Sequence, residues 1–402
     1  MEDDADVLRR SGQHLHRTVL MIEQGGRGGV ADYTGDLVGA LADVGVDVEL
    51  GTACDHQIQL ASTVGVRPVF RYVRTGAPLR DWARRVGVSR LVNGLAYLLA
   101  VLRLLPAAHR ARVVHFQSGE FPPLLAIAFV AMRTAGAAIV FTPHNTFDRG
   151  VGWGRAHALC QRLAARVVVH AQADLPQLTA AGAAKAVVIP HGEYGSLAAR
   201  AGRGDRAATR ERLGIPRDAP VALVFGQLRP DKGIADVLAA ARRLPELHVL
   251  FAGADTGAGQ LLRDELASGR LTGRLHVSEG FQPLEDAAHW FAAADVCVLA
   301  YRVASQSGVL LLSYAFETPV VVYPVGGLPE AVVDGVTGWI TPSADVDALV
   351  DSLGSVISGG PAECRRRGSA AAIMAQDRFG WATIARETAA TYAAAAAAHR
   401  GA

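Results

Sequence analysis

Residues Val221–Arg243 read VALVFGQLRPDKGIADVLAAARR. The apolar run Val221–Phe225 is too short for a helix and fits a strand, and the apolar spacing after Gly233 fits a helix. Between them lies FGQLRPDKG, a loop with a lysine in a chain that spells nearly every basic position as arginine. Lys185 and Lys232 are the two lysines among forty basic residues. Arginine serves wherever any positive charge will do, so a lysine between strand and helix points to a place for a compact ammonium. Arg229 and Lys232 then stand three apart at a strand-to-helix junction, where the helix dipole also favours an anion; a diphosphate suits such a pair.

The same strand–loop–helix unit recurs along the chain. Strands are expected at 18–22, 46–50, 113–116, 138–142, 167–170 and 186–189. A second set is expected at 221–225, 248–251, 275–278, 296–299 and 320–323. Ala- and Leu-rich stretches with helical spacing separate them, and such alternation predicts parallel sheets covered on both faces. The polar, Gly- and Arg-rich stretch 192–220 interrupts the pattern near the middle of the 402 residues. Two α/β domains follow, 1–200 and 201–380, with an interdomain cleft and an Ala-rich final helix over 381–402. Sheets of this kind bind ligands at the carboxyl ends of their strands.

Composition excludes several classes. The four cysteines, Cys54, Cys160, Cys297 and Cys364, show no paired spacing for a disulfide framework or structural zinc. A formal net charge of +2 gives no case for nucleic acid. The start has no apolar core of signal-peptide length, and no apolar run approaches the ~20 residues of a bilayer span. The expected setting is the cytoplasm. The leucine-rich segment 91–105 is expected to pack into the core, and its position after the basic WARR at 82–85 leaves contact with a membrane surface open.

Three further loops carry candidate chemistry. Gly25, Gly26, Gly28 and Gly29 follow the first strand and would let backbone amides approach a phosphate. Their spacing is not that of a dinucleotide-binding fingerprint, which argues against a nicotinamide dehydrogenase. TPHNTFDR at 142–149 sets His144 at the end of a strand, and IPHG sets His191 at the end of the last strand of the first half. His115, within a strand, reads as a packed residue. In the second half, SQSG at 305–308 has the composition of an anion-cradling nest whose amides open the next helix.

The order of these pieces resembles the retaining glycosyltransferases of family 4, which have two facing Rossmann-like halves, the GT-B fold. The resemblance rests on Gly25–Gly29, His144, IPHG, LRPDKG at 228–233, FAGAD at 251–255, GFQPLED at 280–286, SQSGV at 305–309, GGLPE at 326–330 and DGVTG at 334–338. It implies a glycosyltransferase that moves a sugar from a nucleotide-diphosphate donor to an acceptor hydroxyl, with retention and without metal or other cofactor. Arg229 and Lys232 would hold the diphosphate, and the amides of Ser307, Gly308 and Val309 would add to the grip. Phe281 and Gln282 would lie beside the nucleobase, Gly28 and Gly29 would face the phosphates, and His144 would face the reacting sugar. The final helix would cross back onto the first half.

The chain departs from the family where two glutamates eight apart are common, since Ser305 and Ser313 stand there. Ser313 is kept among the donor-binding candidates. The Asp-x-Asp pairs Asp4–Asp6 and Asp345–Asp347 read as solvated or capping residues rather than metal ligands. The competing readings are a nucleotide-sugar epimerase, a phosphorylase, and a nucleotide- or glycan-binding protein with a decayed site. The acceptor is a small molecule, a glycan or a lipid-linked glycan.

Overall fold

The computed structural model describes residues 19–72, 89–118, 121–144, 154–280, 282 and 284–400. The chain splits into two compact units, Met1–Gly192 with Trp381–Ala402, and Glu193–Gly380. The division falls after Gly192 rather than at residue 200. Residues 193–200 go with the second unit because the helix they enter, α6 (Gly195–Ala201), packs on α10 (Leu284–Ala293) and α11 (Gly308–Ala315).

The first unit is a seven-stranded parallel sheet ordered β3-β2-β1-β4-β5-β6-β7. Its strands are β1 (Val19–Glu23), β2 (Val48–Ala53), β3 (Gly65–Phe70), β4 (Val113–Gln117), β5 (Ala138–Thr142), β6 (Arg166–Val169) and β7 (Ala186–Val188). Helices α1 (Gly29–Asp43), α2 (Ser89–Ala111), α3 (Pro122–Thr134), α4 (Gly154–Leu163) and the one-turn α5 (Ala180–Ala183) connect them. Every residue of β1, β4 and β5 is buried, which is why they read as mostly apolar runs, with Glu23, His115, Gln117 and Thr142 as their buried polar members. One core lies under α2 and α3; the other lies under α1 and the final helix α13 (Trp381–Arg400). Tyr392 of α13 fixes that helix to the sheet, its hydroxyl 2.8 Å from His115 Nδ1. Gly192 admits the ring of Trp381, since a Cβ there would lie 2.2 Å from it.

The second unit is a six-stranded parallel sheet ordered β10-β9-β8-β11-β12-β13. Its strands are β8 (Val221–Phe225), β9 (His248–Gly253), β10 (Leu275–Glu279), β11 (Val296–Leu299), β12 (Val320–Val322) and β13 (Gly338–Ile340). Besides α6, α10 and α11, it carries α7 (Arg206–Leu213), α8 (Ile234–Arg243), α9 (Gly259–Ser268) and the long α12 (Val346–Phe379), which breaks at Gly360.

Two strands lie outside the sequence reading. β3 contains Pro68, and β13 begins at the last glycine of DGVTG and pairs in parallel with β12. Both are edge strands, where proline and glycine are tolerated and burial is incomplete. In each sheet the order reverses beside the unit's first strand, between β1 and β4 and between β8 and β11. Loops at such a switch point splay apart and leave a crevice at the carboxyl ends of the strands.

Candidate active site

The switch point of the second sheet brings together the loops after β8 and β11. After Phe225 the chain turns through Gly226, follows β9 as far as the pairing of Leu228 with Asp255, and enters a 3-10 turn at Pro230–Lys232. Gly233 then opens α8 in the left-handed conformation at φ 69°. A Cβ at Gly233 would lie 1.9 Å from the carbonyl oxygen of Ala300, at the end of β11. Only glycine lets the two loops approach this closely.

Lys232 crosses that contact. Its Nζ lies 3.4 Å from the centroid of the Tyr301 ring, a cation held on an aromatic face. The Tyr301 hydroxyl in turn accepts from Ser307 Oγ at 3.4 Å, and Ser307 caps α11 by accepting from the Leu310 amide at 3.4 Å. The lysine, the tyrosine and the helix start therefore form one connected unit. Gly308 is required by Tyr194, whose hydroxyl would lie 2.8 Å from a Cβ at position 308.

Arg229 is also held. Its Nε and Nη2 donate to the two carboxylate oxygens of Asp231 at 2.9 and 2.8 Å, and its Nη1 donates to Gln227 Oε1 at 3.0 Å. Burial alone would raise the Asp231 pKa. The hydrogen bonds and charge of Arg229, with Lys232 nearby, outweigh burial and hold it below the usual carboxylate value. Asp231 is thus ionised at neutral pH, and the three side chains together carry about one net positive charge rather than two. The loop of Ser305 is tied to the glycine turn beyond β12, with Gly327 N donating to the Ser305 carbonyl at 2.7 Å.

Other candidates are engaged in contacts of their own. Gln282 spends its amide on its own loop: Nε2 donates to the carbonyls of Ser278 and Gly280, and Oε1 accepts from Trp290 Nε1 at 2.8 Å. Phe281 lies outside the described residues. Ser313 is fully buried and donates to the Thr318 carbonyl at 2.8 Å, so it braces α11 against the sheet. Asp255 accepts three amides, from Gly257, Ala258 and Gly259, and caps α9. Asp345 caps α12 through the Ala348 amide, and Asp347 pairs with Arg243. Asp4–Asp6 lies outside the described residues.

In the first unit, the glycine turn after β1 divides in function. Gly25 and Gly26 donate their amides to the buried carboxylate of Glu23, the Gly25 bond measuring 2.9 Å. That half of the turn already holds an anion of its own chain. Gly28 (φ 77°) and Gly29 begin α1, and nothing lies within 4 Å of a Cβ at either. The open side of the turn is therefore at Gly28–Gly29.

His144 stands two residues beyond β5 and lies within a buried histidine cluster. His170 Nδ1 donates to the Ile189 carbonyl at 2.9 Å, His170 Nε2 lies 3.3 Å from His144 Nδ1, and the Gln117 amide group lies 2.8 Å from His144 Nε2. The Tyr33 ring touches His144, His170 and His191, and His191 Nδ1 donates to the Gly192 carbonyl at 2.8 Å. Burial lowers the pKa of all three, and of His115, from the ordinary value of 6.5. The neutral rings then fix the protons. The Ile189 carbonyl takes His170 Nδ1–H, and Gln117 Oε1 takes His144 Nε2–H. Both ring nitrogens of His144 are engaged inside its own unit.

Sequence reasoning missed Asp231, Tyr301, Tyr194, Glu23 and Gln117. Asp231 stands inside RPDKG and Tyr301 lies two residues beyond β11, so their positions were visible; their partners were not.

Two family descriptions match the chain in succession. Residues 28–207 match the "Glycosyl transferase 4-like domain", and residues 205–373 match "Glycosyl transferases group 1". The fold is GT-B, and each half matches one of these two descriptions. Among solved structures, the chain is similar to Anabaena Alr3699/HepE in complex with UDP, at TM-score 0.72 and 20% identity over 94% of this chain and 99% of that one. It is also similar to sucrose-phosphate synthase from Thermosynechococcus elongatus, at TM-score 0.72 and 21% identity over 94% and 98%. Among curated proteins, D-inositol 3-phosphate glycosyltransferase of Mycobacterium sp. (strain KMS) is 40% identical over 169 residues, 40% of this chain and 38% of that protein. The protein of the same name from Streptomyces griseus subsp. griseus is 38% identical over 209 residues, 48% and 43% respectively. The matches span less than half the length of these curated relatives.

Proposed function

We propose that the chain is a glycosyltransferase that moves a sugar from a nucleoside-diphosphate donor to an acceptor hydroxyl. The observation that carries the reading is the junction of Arg229, Lys232 and the start of α11 at the switch point of the second sheet. A uridine donor is favoured by the likeness to HepE, which has been solved with UDP and with UDP-glucose. A polyol or sugar hydroxyl is favoured as acceptor by the inositol phosphate relatives.

In this reading the bond from the anomeric carbon to the diphosphate oxygen breaks, and its electron pair leaves with the diphosphate. The acceptor oxygen bonds to the same carbon from the same face, so configuration is retained, and its proton passes to the departing phosphate. The growing negative charge meets the fixed ammonium of Lys232, the outer N–H groups of Arg229 and the amides of Ser307–Val309, with no metal ion required. His144 enters as a neutral positioning residue rather than a proton carrier. The work is placed in the cytoplasm.

A thermal-shift series with UDP, ADP and GDP and their glucose conjugates tests the donor assignment, because a ligand bound only to the folded chain raises its melting temperature. A shift with one nucleotide, lost in Lys232→Ala, supports the site. A shift unchanged in Lys232→Ala and Arg229→Ala removes it. Transfer that vanishes with chelator and returns with manganese removes the metal-free mechanism.

A further inference from the structure

Helix α2 meets the expectation of a core helix on one face only. One face, with Tyr97, Ala100, Val101, Leu104 and Ala108, is locked into the core beneath it. The opposite face exposes Leu91 (70%), Leu95 (59%), Leu99 and Leu102 (58%), which recur every three to four residues along one stripe. The neighbouring α3, packed against α2 where Leu124 meets Gly94, exposes Ile127 (51%) and Val130. Two adjacent helices thus both present exposed apolar side chains, in stripes rather than singly.

The charge around this surface has one sign. Arg90, Arg103 and Arg110 lie exposed on α2, and α2 carries no carboxylate. Between Asp81 and Glu120 the sequence has no acidic residue at all. A second copy of the chain would bring these arginines against each other with no carboxylate to answer them. An anionic lipid surface supplies what both features lack: hydrocarbon for the leucines and phosphate for the guanidiniums. Because its inner face is fixed to the sheet, α2 can lie on such a surface without leaving the fold.

We infer that the α2–α3 face of the first unit docks onto anionic phospholipid, with the leucine stripe at the headgroup boundary and the arginines on lipid phosphates. The inference stands apart from the transferase reading, since it invokes neither donor nor acceptor. The test is co-sedimentation of the full chain with vesicles of phosphatidylcholine alone and of phosphatidylcholine mixed with phosphatidylglycerol.

Binding is expected to the mixed vesicles only and to weaken with salt. Leu95→Ser and Leu102→Ser should each weaken it roughly tenfold, from the apolar area lost. Arg103→Gln should weaken it about fivefold. All three variants, being on an exposed face, should keep the wild-type melting temperature and soluble donor turnover. Absence of wild-type binding to mixed vesicles overturns the inference, as does binding that the leucine variants leave unchanged. A concentration-dependent dimer dispersed by Leu95→Ser, without vesicle binding, assigns the face to a second copy instead.

Discussion

Arg229 and Asp231, two residues apart on the loop after β8, form a two-bonded fork with contacts of 2.9 and 2.8 Å. The carboxylate fixes the guanidinium in place and also cancels its charge, so aim is bought against field strength. Asp231→Asn should separate the two effects. Affinity for a nucleoside diphosphate should rise by about 1 kcal/mol, the scale of one unit charge at contact distance in water. Its salt dependence should steepen, while turnover falls because the guanidinium is no longer held. Calorimetry at two ionic strengths checks this, and an unchanged or weaker affinity would show that Arg229 does not face the diphosphate.

Lys232 has a different kind of support, the face of Tyr301. Lys232→Ala should lower turnover by about 3 kcal/mol of transition-state stabilisation, the scale of a lost oxyanion donor. Lys232→Arg should not restore it, because a planar guanidinium cannot replace a compact ammonium at the same point. Tyr301→Leu should cost about 1 kcal/mol of turnover by removing the ring face. Single-turnover rates separate these effects from binding. Full activity in Lys232→Arg would mean that only charge matters there.

The start of α11 allows a test by coupling. Gly308→Ala sets a methyl 2.8 Å from the Tyr194 hydroxyl, and the next ring atoms stand at 3.6 Å, an ordinary contact. The single substitution should destabilise the second unit by about 1–3 kcal/mol through overpacking. Tyr194→Phe should recover most of that cost in the double variant, a coupling that urea unfolding of the four proteins measures. Additive losses would place the strain elsewhere.

The central strands were legible because burial on both faces leaves an unbroken apolar run, as in Val19–Glu23 apart from its last residue. The edge strands β3 and β13 were not, since pairing on one side tolerates Pro68 and Gly338. The family resemblance implied that Lys232 and the SQSG loop share a site, and a switch point joins the two loops that follow β8 and β11; residue type and chain position alone marked each loop separately. They could not give partners. Gln282 and Ser313 have the polarity of ligand contacts, yet Trp290 and Thr318 occupy them. Leucine content alone likewise could not divide α2 into a buried face and an exposed one; that depends on which side meets the sheet.

The buried histidines of the first unit predict a one-sided pH dependence. Burial lowers His115 and His191 to about 3, and His144 and His170 also fall below 6.5. In the unfolded chain these groups take protons near 6.5, so between about 6.5 and 3 the unfolded state binds more protons than the folded one. Stability is therefore complete above 6.5 and is lost as pH falls, by up to ~1.4 kcal/mol per pH unit for each histidine kept neutral. Hydrogen exchange should show β4 and β5 losing protection between pH 6.5 and 4, with β11 and β12 falling less. His115→Gln, which removes one titrating ring between Tyr392 and Thr142, should reduce the slope by one proton. Protection of β4 and β5 that stays flat across that range would mean the cluster is already charged in the folded chain, and the neutral assignment of His144 would fall with it.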